Sequence, residues 1–487
     1  MSSSVEKNMQ AMKALFGNDA LAGRLLYTRL AVITPSDELP FSGKLLGEFL
    51  ADCLGRLWPN IDFYGADAEN LCSVAKTAAL SGNAPHEGLV VKWAPPYEAV
   101  ITIDCLAPTE SPFVLKVGAN DWNVAIGPDA ACGESKNPVG PAFAAALAAA
   151  QIFHHIFRAE LAGMDAAPIN QCSIDLRALF SLSEMQVAPL FLGECHMFGV
   201  GAVSHGLLSI LERWPEEVTG TLNLVDLDKY GHTNGQRYAF MKPANFEVAK
   251  VIALQERLES LHGHLEINPY PMDLNGYCAK HGYEMPLYRV ISGLDSAEAR
   301  RQVALKLPER TINMWTEGVR IGAGQYIPKD DAACLACDYL EDLQKPLDEV
   351  AELKMQTGIR PDLIRSLLDS GRGLTEQEAS MIGNTRNIVP YSHFIGQPLR
   401  SVLPTLCATG KLTLPNNNEA VDVPFAFASL FAGITGFMML LRDCMTNSHG
   451  SHGWTQHIFK EPTPYMFRPL HSREKCVCCA EMKYFAI

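Results

Sequence analysis

The chain has no surplus of positive charge: 40 lysines and arginines stand against 54 aspartates and glutamates, a formal net charge of -14. A protein whose main work is gripping nucleic acid or an anionic membrane needs the opposite balance, so neither is an expected partner. Low-complexity tracts and short-period repeats are missing too, which excludes solenoids and collagen-like or disordered architectures. The opening MSSSVEKNMQ has no apolar stretch behind its charges, so no secretory signal is read there and a cytoplasmic protein is expected. One uncharged run, Val423 to Leu441, approaches the length of a membrane span. It holds Pro424 and many small residues, has no partner span, and reads as a buried helix.

What is present is an ordinary globular composition, 48% hydrophobic and 19% charged, over 487 residues. At roughly 150 residues per domain this gives two to four domains. Fourteen cysteines in a reducing compartment are expected to be buried, metal-bound or catalytic rather than paired.

From Arg29 the chain alternates: strand RLAVIT, amphipathic helix KLLGEFLADCLGRLW, strand IDFYG, apolar strand YEAVITIDCL, then an Ala-rich helix over 138–162. Alternation of this kind predicts a mostly parallel α/β layer for an N-terminal domain, 1–180, that has no glycine loop. A second α/β unit fills 181–340: strand ECHMF, glycine turn GVGAVS, helix HGLLSILERW, strand TLNLVDLD and a long helix to about residue 260. Residues 341–410 read as an insert of short helices, with Pro361 near one helix start and a capping box from Thr375 to Glu378. Residues 411–487 return to the second domain.

The turn at Gly199 and Gly201 lets backbone approach a phosphate at a helix N-terminus. Alone it is common. Asp226 ends the next strand, where a carboxylate can accept ribose hydroxyls. The series continues with Asp228, Asn234, Gln236, Arg237, Lys250, Asp295 and Arg300. Arginine and lysine neutralise a triphosphate and an aspartate holds its magnesium, so the set suits chemistry at phosphorus better than hydride transfer. Cys334 with Cys337, and Cys476 with Cys479, form two C-x-x-C pairs whose thiolates suit a tetrahedral structural zinc, Cys478 being a substitute for Cys479. His449 and His452 read as part of a glycine-rich loop, and His154 and His155 as helix packing.

The stretches GVGAVSHGLL, LNLVDLDKYGHTNGQRYAF, AKVIAL and VISGLDSAEARRQV resemble the adenylation domain of the ThiF, MoeB and ubiquitin-activating (E1) family. The resemblance implies a Rossmann-like adenylation domain with a zinc knot and a helical crossover insert. Among its members the chain looks most like those of bacterial ubiquitin-like, antiphage conjugation operons. It implies that Asp226 holds the ribose, that Asn234, Arg237 and Lys250 hold the phosphates of ATP, and that Asp295 holds Mg2+. Ser204 stands where the family has a third loop glycine, and Ser296 where it usually has asparagine. A catalytic cysteine is expected on the crossover segment, and Cys407, in LPTLCATGKLTLP, fits better than Cys444 at the end of the apolar helix. The implied partners are a ubiquitin-like protein, an E2-like protein and a second copy of the chain. Residues 1–180 then correspond to an inactive adenylation half. The rivals are an adenylyltransferase for a sulfur carrier or peptide, an inert scaffold, and a dinucleotide oxidoreductase, which would leave the cysteine pairs unexplained.

Overall fold

In the computed structural model the described residues are 19–81, 95–106, 112–161, 167–232, 234–259, 264–282, 285–340, 357–370, 372–386, 391–397, 412–414, 417–421, 425–446, 449–474, 476–480 and a few isolated positions. Two compact units are present, one of residues 1–8, 24–339 and 424–487, the other of 9–23 and 340–423.

The larger unit holds two sheets. The first is built from β1 (Arg29–Ile33), β2 (Asn60–Tyr64), β3 (Ala99–Ile103), β4 (Val114–Asn120), β5 (Asn123–Ile126) and β6 (Cys172–Asp175). Its order is β2-β1-β3-β4-β5-β6, with the first four strands parallel and the last two antiparallel. Helices in this half are α1 (Asp19–Tyr27), of which residues 24–27 belong to this unit, α2 (Phe41–Gly55), α3 (Ala68–Ser81), α4 (Val139–Ile156) and the short α5 (Leu176–Leu179). The helix expected over 138–162 is therefore α4, which ends at Ile156.

The second sheet runs β16-β15-β12-β11-β10-β7-β8-β9. Its strands are β7 (Leu190–Phe198), β8 (Val218–Val225), β9 (Leu265–Tyr270), β10 (Arg289–Ser292), β11 (Arg310–Glu317), β12 (Arg320–Tyr326), β15 (Ser451–His457) and β16 (Phe467–Leu470). Strands β9, β8, β7, β10 and β11 are parallel, and β12, β15 and β16 antiparallel. Helices α6 (Ala202–Leu211), α7 (Lys250–Glu259), α8 (Leu274–His281), α9 (Ala297–Ala304) and α10 (Leu335–Tyr339) connect them. The order reverses between β7 and β10, and an open α/β sheet binds ligands at the carboxyl ends of its strands at such a switch point.

In the smaller unit, α11 (Pro361–Ser370) and α12 (Glu376–Arg386) share a core of Ile364, Leu367, Ile382 and Phe394. The capping box is formed: Glu378 N donates to Thr375 Oγ1 at 3.3 Å while Glu378 Oε2 accepts from Thr375 N at 2.7 Å. Strands β13 (Leu412–Leu414) and β14 (Asn417–Val421) pair antiparallel.

The run read as a buried helix is α13 (Ala426–Met445), in the larger unit. Helices α4 and α13 are long and apolar enough to cross a membrane, but 94% and 89% of their apolar windows lie buried inside the protein. Helix α13 crosses α6 backbone to backbone. A Cβ on Gly433 would lie 2.4 Å from Leu207 N, so only glycine permits that approach. Against α4 it presents Phe431, edge-on to Phe143 at 4.5 Å, and Phe425, 4.5 Å from Phe153. Near its end Asp443, its side chain fully buried, accepts from Arg289 Nε at 2.6 Å, Arg310 Nη1 at 2.9 Å and Gln325 Nε2 at 2.9 Å. One carboxylate thus pins the helix to β10, β11 and β12.

The histidine expected in a glycine-rich loop, His452, lies instead in β15, its ring stacked on Phe467 at 5.0 Å. Ser451, Trp454 and Gln456 are buried, and the glycine that suggests a loop, Gly453, packs under Leu470.

Candidate active site and cysteine cluster

Strand β7 ends at Phe198 and the chain turns through Gly199, whose φ of +80° suits glycine. A Cβ there would lie 2.9 Å from Leu294 N, so the turn packs on the backbone leaving β10. Ser204, the departure from the family's third glycine, is buried and donates its hydroxyl to Gly199 O at 2.7 Å. It fills the space beside Gly293, where a Cβ would meet Ser204 Oγ at 2.1 Å. The serine thus closes the turn rather than disturbing it. Gly201 is the N-cap of α6, with extended backbone.

Asp226, one residue past β8, lies against this turn. Its Oδ2 accepts from Val200 N at 2.7 Å and its Oδ1 from Asp228 N at 2.8 Å. Lys250, buried at the first position of α7, reaches Asp228 Oδ2 at 2.8 Å and Asp226 Oδ1 at 3.7 Å. Burial alone would lower the lysine's pKa, but Tyr238, Asp226 and Asp228 together raise it, and Lys250 stays a cation.

Asn234 Oδ1 accepts from Gly231 N at 2.8 Å, and Asn234 O accepts from Arg237 N at 3.1 Å. The half-buried Arg237 has its guanidinium 5.7 Å from the centre of the Tyr238 ring, and Lys250 Nζ lies 5.8 Å from the same ring. Asp295 is exposed, one residue beyond the Leu294 contact with Gly199. Ser296, the second departure, caps α9 by accepting from Ala299 N at 3.1 Å. Around the glycine turn, then, the structure gathers Gly199, Gly201, Asp226 and Lys250, with Asn234 and Arg237 on the adjoining loop and Asp295 at the exit of β10.

One member of this neighbourhood has no motif to announce it. His205 is fully buried, its Nδ1 2.8 Å from Gly201 O, its Nε2 bonded to the Tyr230 hydroxyl and its ring 4.6 Å from that of Tyr238. Burial drives its pKa down to about 3, so the ring is neutral. The carbonyl at Nδ1 requires a donor, which leaves Nε2 to accept from Tyr230.

The cysteine pairs meet. The sulfurs of Cys334, Cys337, Cys476 and Cys479 all lie within 4.8 Å of one another and are buried. Tetrahedral zinc–sulfur bonds of about 2.3 Å require sulfurs about 3.8 Å apart. The separations are 3.9 Å for Cys334–Cys337, 3.4 Å for Cys334–Cys476 and 3.5 Å for Cys337–Cys479. Four thiols this close fit a zinc ion, and Arg473 N donates to Cys337 Sγ at 3.5 Å as an outer support. Cys479, rather than the alternative Cys478, completes the set. Cys407 lies outside the described residues. Burial pushes the Cys444 thiol up to about 12, so it is protonated at neutral pH.

In the first half, the start of α2 corresponds in topology to the glycine turn, yet it has no such turn. There Phe41 N donates to Glu134 Oε2 at 3.3 Å and Ser42 N to Gly133 O at 3.0 Å. The chain's own groups occupy the helix start.

Residues 181–440 match the model of the ThiF family, and the chain belongs to that family. It is 30% identical over 332 residues to the uncharacterized protein y4jF of Sinorhizobium fredii, a match covering 65% of this chain and 61% of that protein, so the chain spans less than two thirds of this curated relative. Among solved structures, E. coli MccB with MccA-N7isoASN aligns over 59% of this chain and 67% of that one at 13% identity, TM-score 0.34. PaaA aligns over 28% of this chain and 42% of that one at 16% identity, TM-score 0.23. The Rossmann-like architecture with its cysteine cluster is that of a ThiF domain.

Proposed function

We propose that this protein is an E1-like activating enzyme that adenylates the C-terminal carboxylate of a ubiquitin-like protein. The observation that carries the reading is the meeting of Asp226 and Lys250 with the glycine turn at the sheet's switch point, inside a ThiF-family domain. A carboxylate oxygen attacks the α-phosphorus of ATP, the bond to the β-phosphate's bridging oxygen breaks, and pyrophosphate leaves. Asp226 holds the ribose hydroxyls. Asn234, Arg237 and Lys250 neutralise the phosphates, and Asp295 ligates Mg2+ at the exit of β10. The four-cysteine cluster holds structural Zn2+, which ties residues 334–337 to the end of the chain.

In the second step the Cys407 thiolate attacks the acyl carbon, AMP leaves, and the thioester is passed to a thiol of an E2-like protein. The setting we favour is a bacterial antiphage conjugation system, with a second copy of the chain as a further partner. Residues 1–180 serve as an inactive adenylation half, a reading supported by its strand order and by Gly133 and Glu134 at the start of α2.

The test is exchange of labelled pyrophosphate into ATP, which is expected only with the ubiquitin-like partner present. Asp295→Ala should abolish it, and unchanged exchange would remove Asp295 from the site. Enzyme, MgATP and partner should also yield an adduct that thiol reductant cleaves. Cys407→Ala should lose the adduct and keep exchange, whereas Cys444→Ala should keep both. Exchange without any adduct from wild type would move the assignment to an adenylyltransferase for a sulfur carrier or peptide.

A further inference from the structure

Two buried charges of the first half act on a loop of the second. Arg56, at the C-terminal end of α2, is fully buried and forked onto Asp52 one turn earlier, with Nε to Oδ2 at 3.0 Å and Nη2 to Oδ1 at 2.7 Å. Such a pair would be satisfied by itself. Instead its remaining capacity is spent on backbone 179 and more residues away. Arg56 Nη1 donates to Gly235 O at 2.5 Å and Nη2 to Met241 O at 3.2 Å. Asp52 in turn accepts from Phe240 N, at 3.3 Å to Oδ1 and 3.2 Å to Oδ2. The Phe240 ring is gripped beside these bonds, edge-on to Phe49 of α2 at 5.2 Å and under the Arg213 guanidinium at 3.9 Å. Both ends of the segment 235–241 are therefore tied to α2 through main-chain atoms, whose positions do not depend on the side chains the segment carries.

The same segment faces the site on its other side. Asn234 immediately precedes Gly235, and Arg237 lies within the clamped stretch. Tyr238 packs on His205, which holds Gly201 O of the glycine turn. We infer that Arg56 and Asp52 are positioning residues for phosphate binding: the half without a nucleotide site holds Asn234 and Arg237 in register with the glycine turn of the half that has one. This rests on the reading that Asn234 and Arg237 contact the phosphates of ATP. Neither Arg56 nor Asp52 touches substrate in this proposal. An arginine is required, because four bonds from one planar group to a carboxylate and two carbonyls exceed what a lysine's single nitrogen can span.

The measurement is binding of MgATP and, separately, of adenosine to the full-length protein by titration calorimetry. Adenosine offers the ribose to Asp226 but no phosphate to the clamped loop. Arg56→Lys is expected to weaken MgATP about tenfold and adenosine less than twofold. Combined with Arg237→Ala, it should cost less than twofold more, since residues acting through one another are non-additive where independent effects add. A merely structural role for Arg56 would weaken both ligands alike and would add to Arg237→Ala, and either result overturns the proposal. So does unchanged MgATP affinity in Arg56→Lys. If that variant lacks a cooperative melt, Asp52→Asn, which keeps the shape, carries the same comparison. Loss of folding in both assigns the pair to stability alone. Wild type that binds no MgATP overturns the ATP reading itself, whereas wild-type binding with an indifferent Arg56→Lys overturns only the clamp.

Discussion

Lys250 is buried against two carboxylates, and its ammonium lies between the aspartate expected to hold ribose and the more exposed Asp228. That is why it was legible: a lysine at a helix start, after Asp-x-Asp at a strand end, has a partner before any ligand arrives. Lys250→Ala should cut MgATP affinity at least tenfold, and calorimetry with an unchanged Kd would remove it from the site. His205 is the opposite case. A histidine behind a glycine turn carries no mark of its burial, and only the packing of α6 on α13 and Tyr230 makes it neutral. Its pKa of about 3 in the fold, against about 6.5 unfolded, means the unfolded chain takes up a proton that the native ring refuses. Stability therefore rises with pH between these values and falls as pH drops from about 6.5 toward 3. Urea melts should show that slope between pH 7 and 5, and His205→Gln should make it shallower. An identical slope would mean that His205 is protonated in the native state.

At the scale of elements, the strength of a signal depended on whether its chemistry was local. The Thr375–Glu378 box and the C-x-x-C pairs are short patterns whose geometry is set within a turn, and both form as expected. Gly450 and Gly453 flank His452 and suggest a loop, and only the pairing of β15 with β12 and β16 makes this segment extended. Nothing in the sequence marks Asp443 as the carboxylate that Arg289, Arg310 and Gln325 share. Removing it would leave the buried Arg289 guanidinium and the partly buried Arg310 guanidinium without their counter-charge. Asp443→Ala should lower stability by about 3–5 kcal/mol in chemical denaturation, and a loss below about 1 kcal/mol would show that water replaces the carboxylate. The cysteine cluster predicts one zinc per chain by elemental analysis of the purified protein. Cys337→Ser should release it, and a fully folded, zinc-free wild type would refute the assignment. Because thiolates bind the ion, its affinity should fall as pH is lowered.

Across the whole molecule, the two halves repeat one plan that a search for short periods does not reveal. In each, a parallel strand turns into an antiparallel hairpin partner, β4 to β5 and β11 to β12, then a long apolar helix leads to one more antiparallel strand, β6 or β15. The repeat is hidden because the second copy interrupts its plan between Tyr326 and Ala426 with the cysteine pair and the smaller unit, while the first has no glycine turn. The two apolar helices, α4 and α13, cover each other: Phe143 meets Phe431, and Phe153 meets Phe427 and the cap residue Phe425. Neither helix has a polar outer face to offer water, since both are buried along almost their whole length. Residues 181–487 made alone should therefore expose the α13 side that α4 covers, and a contiguous apolar face of that kind drives association. The fragment is expected in the insoluble fraction, whereas fragments 1–180 and 181–487 produced together should co-purify as a soluble pair. A soluble, monomeric 181–487 with the zinc content of the whole chain would show that the second half folds independently and that the first is an appendage rather than half of one core.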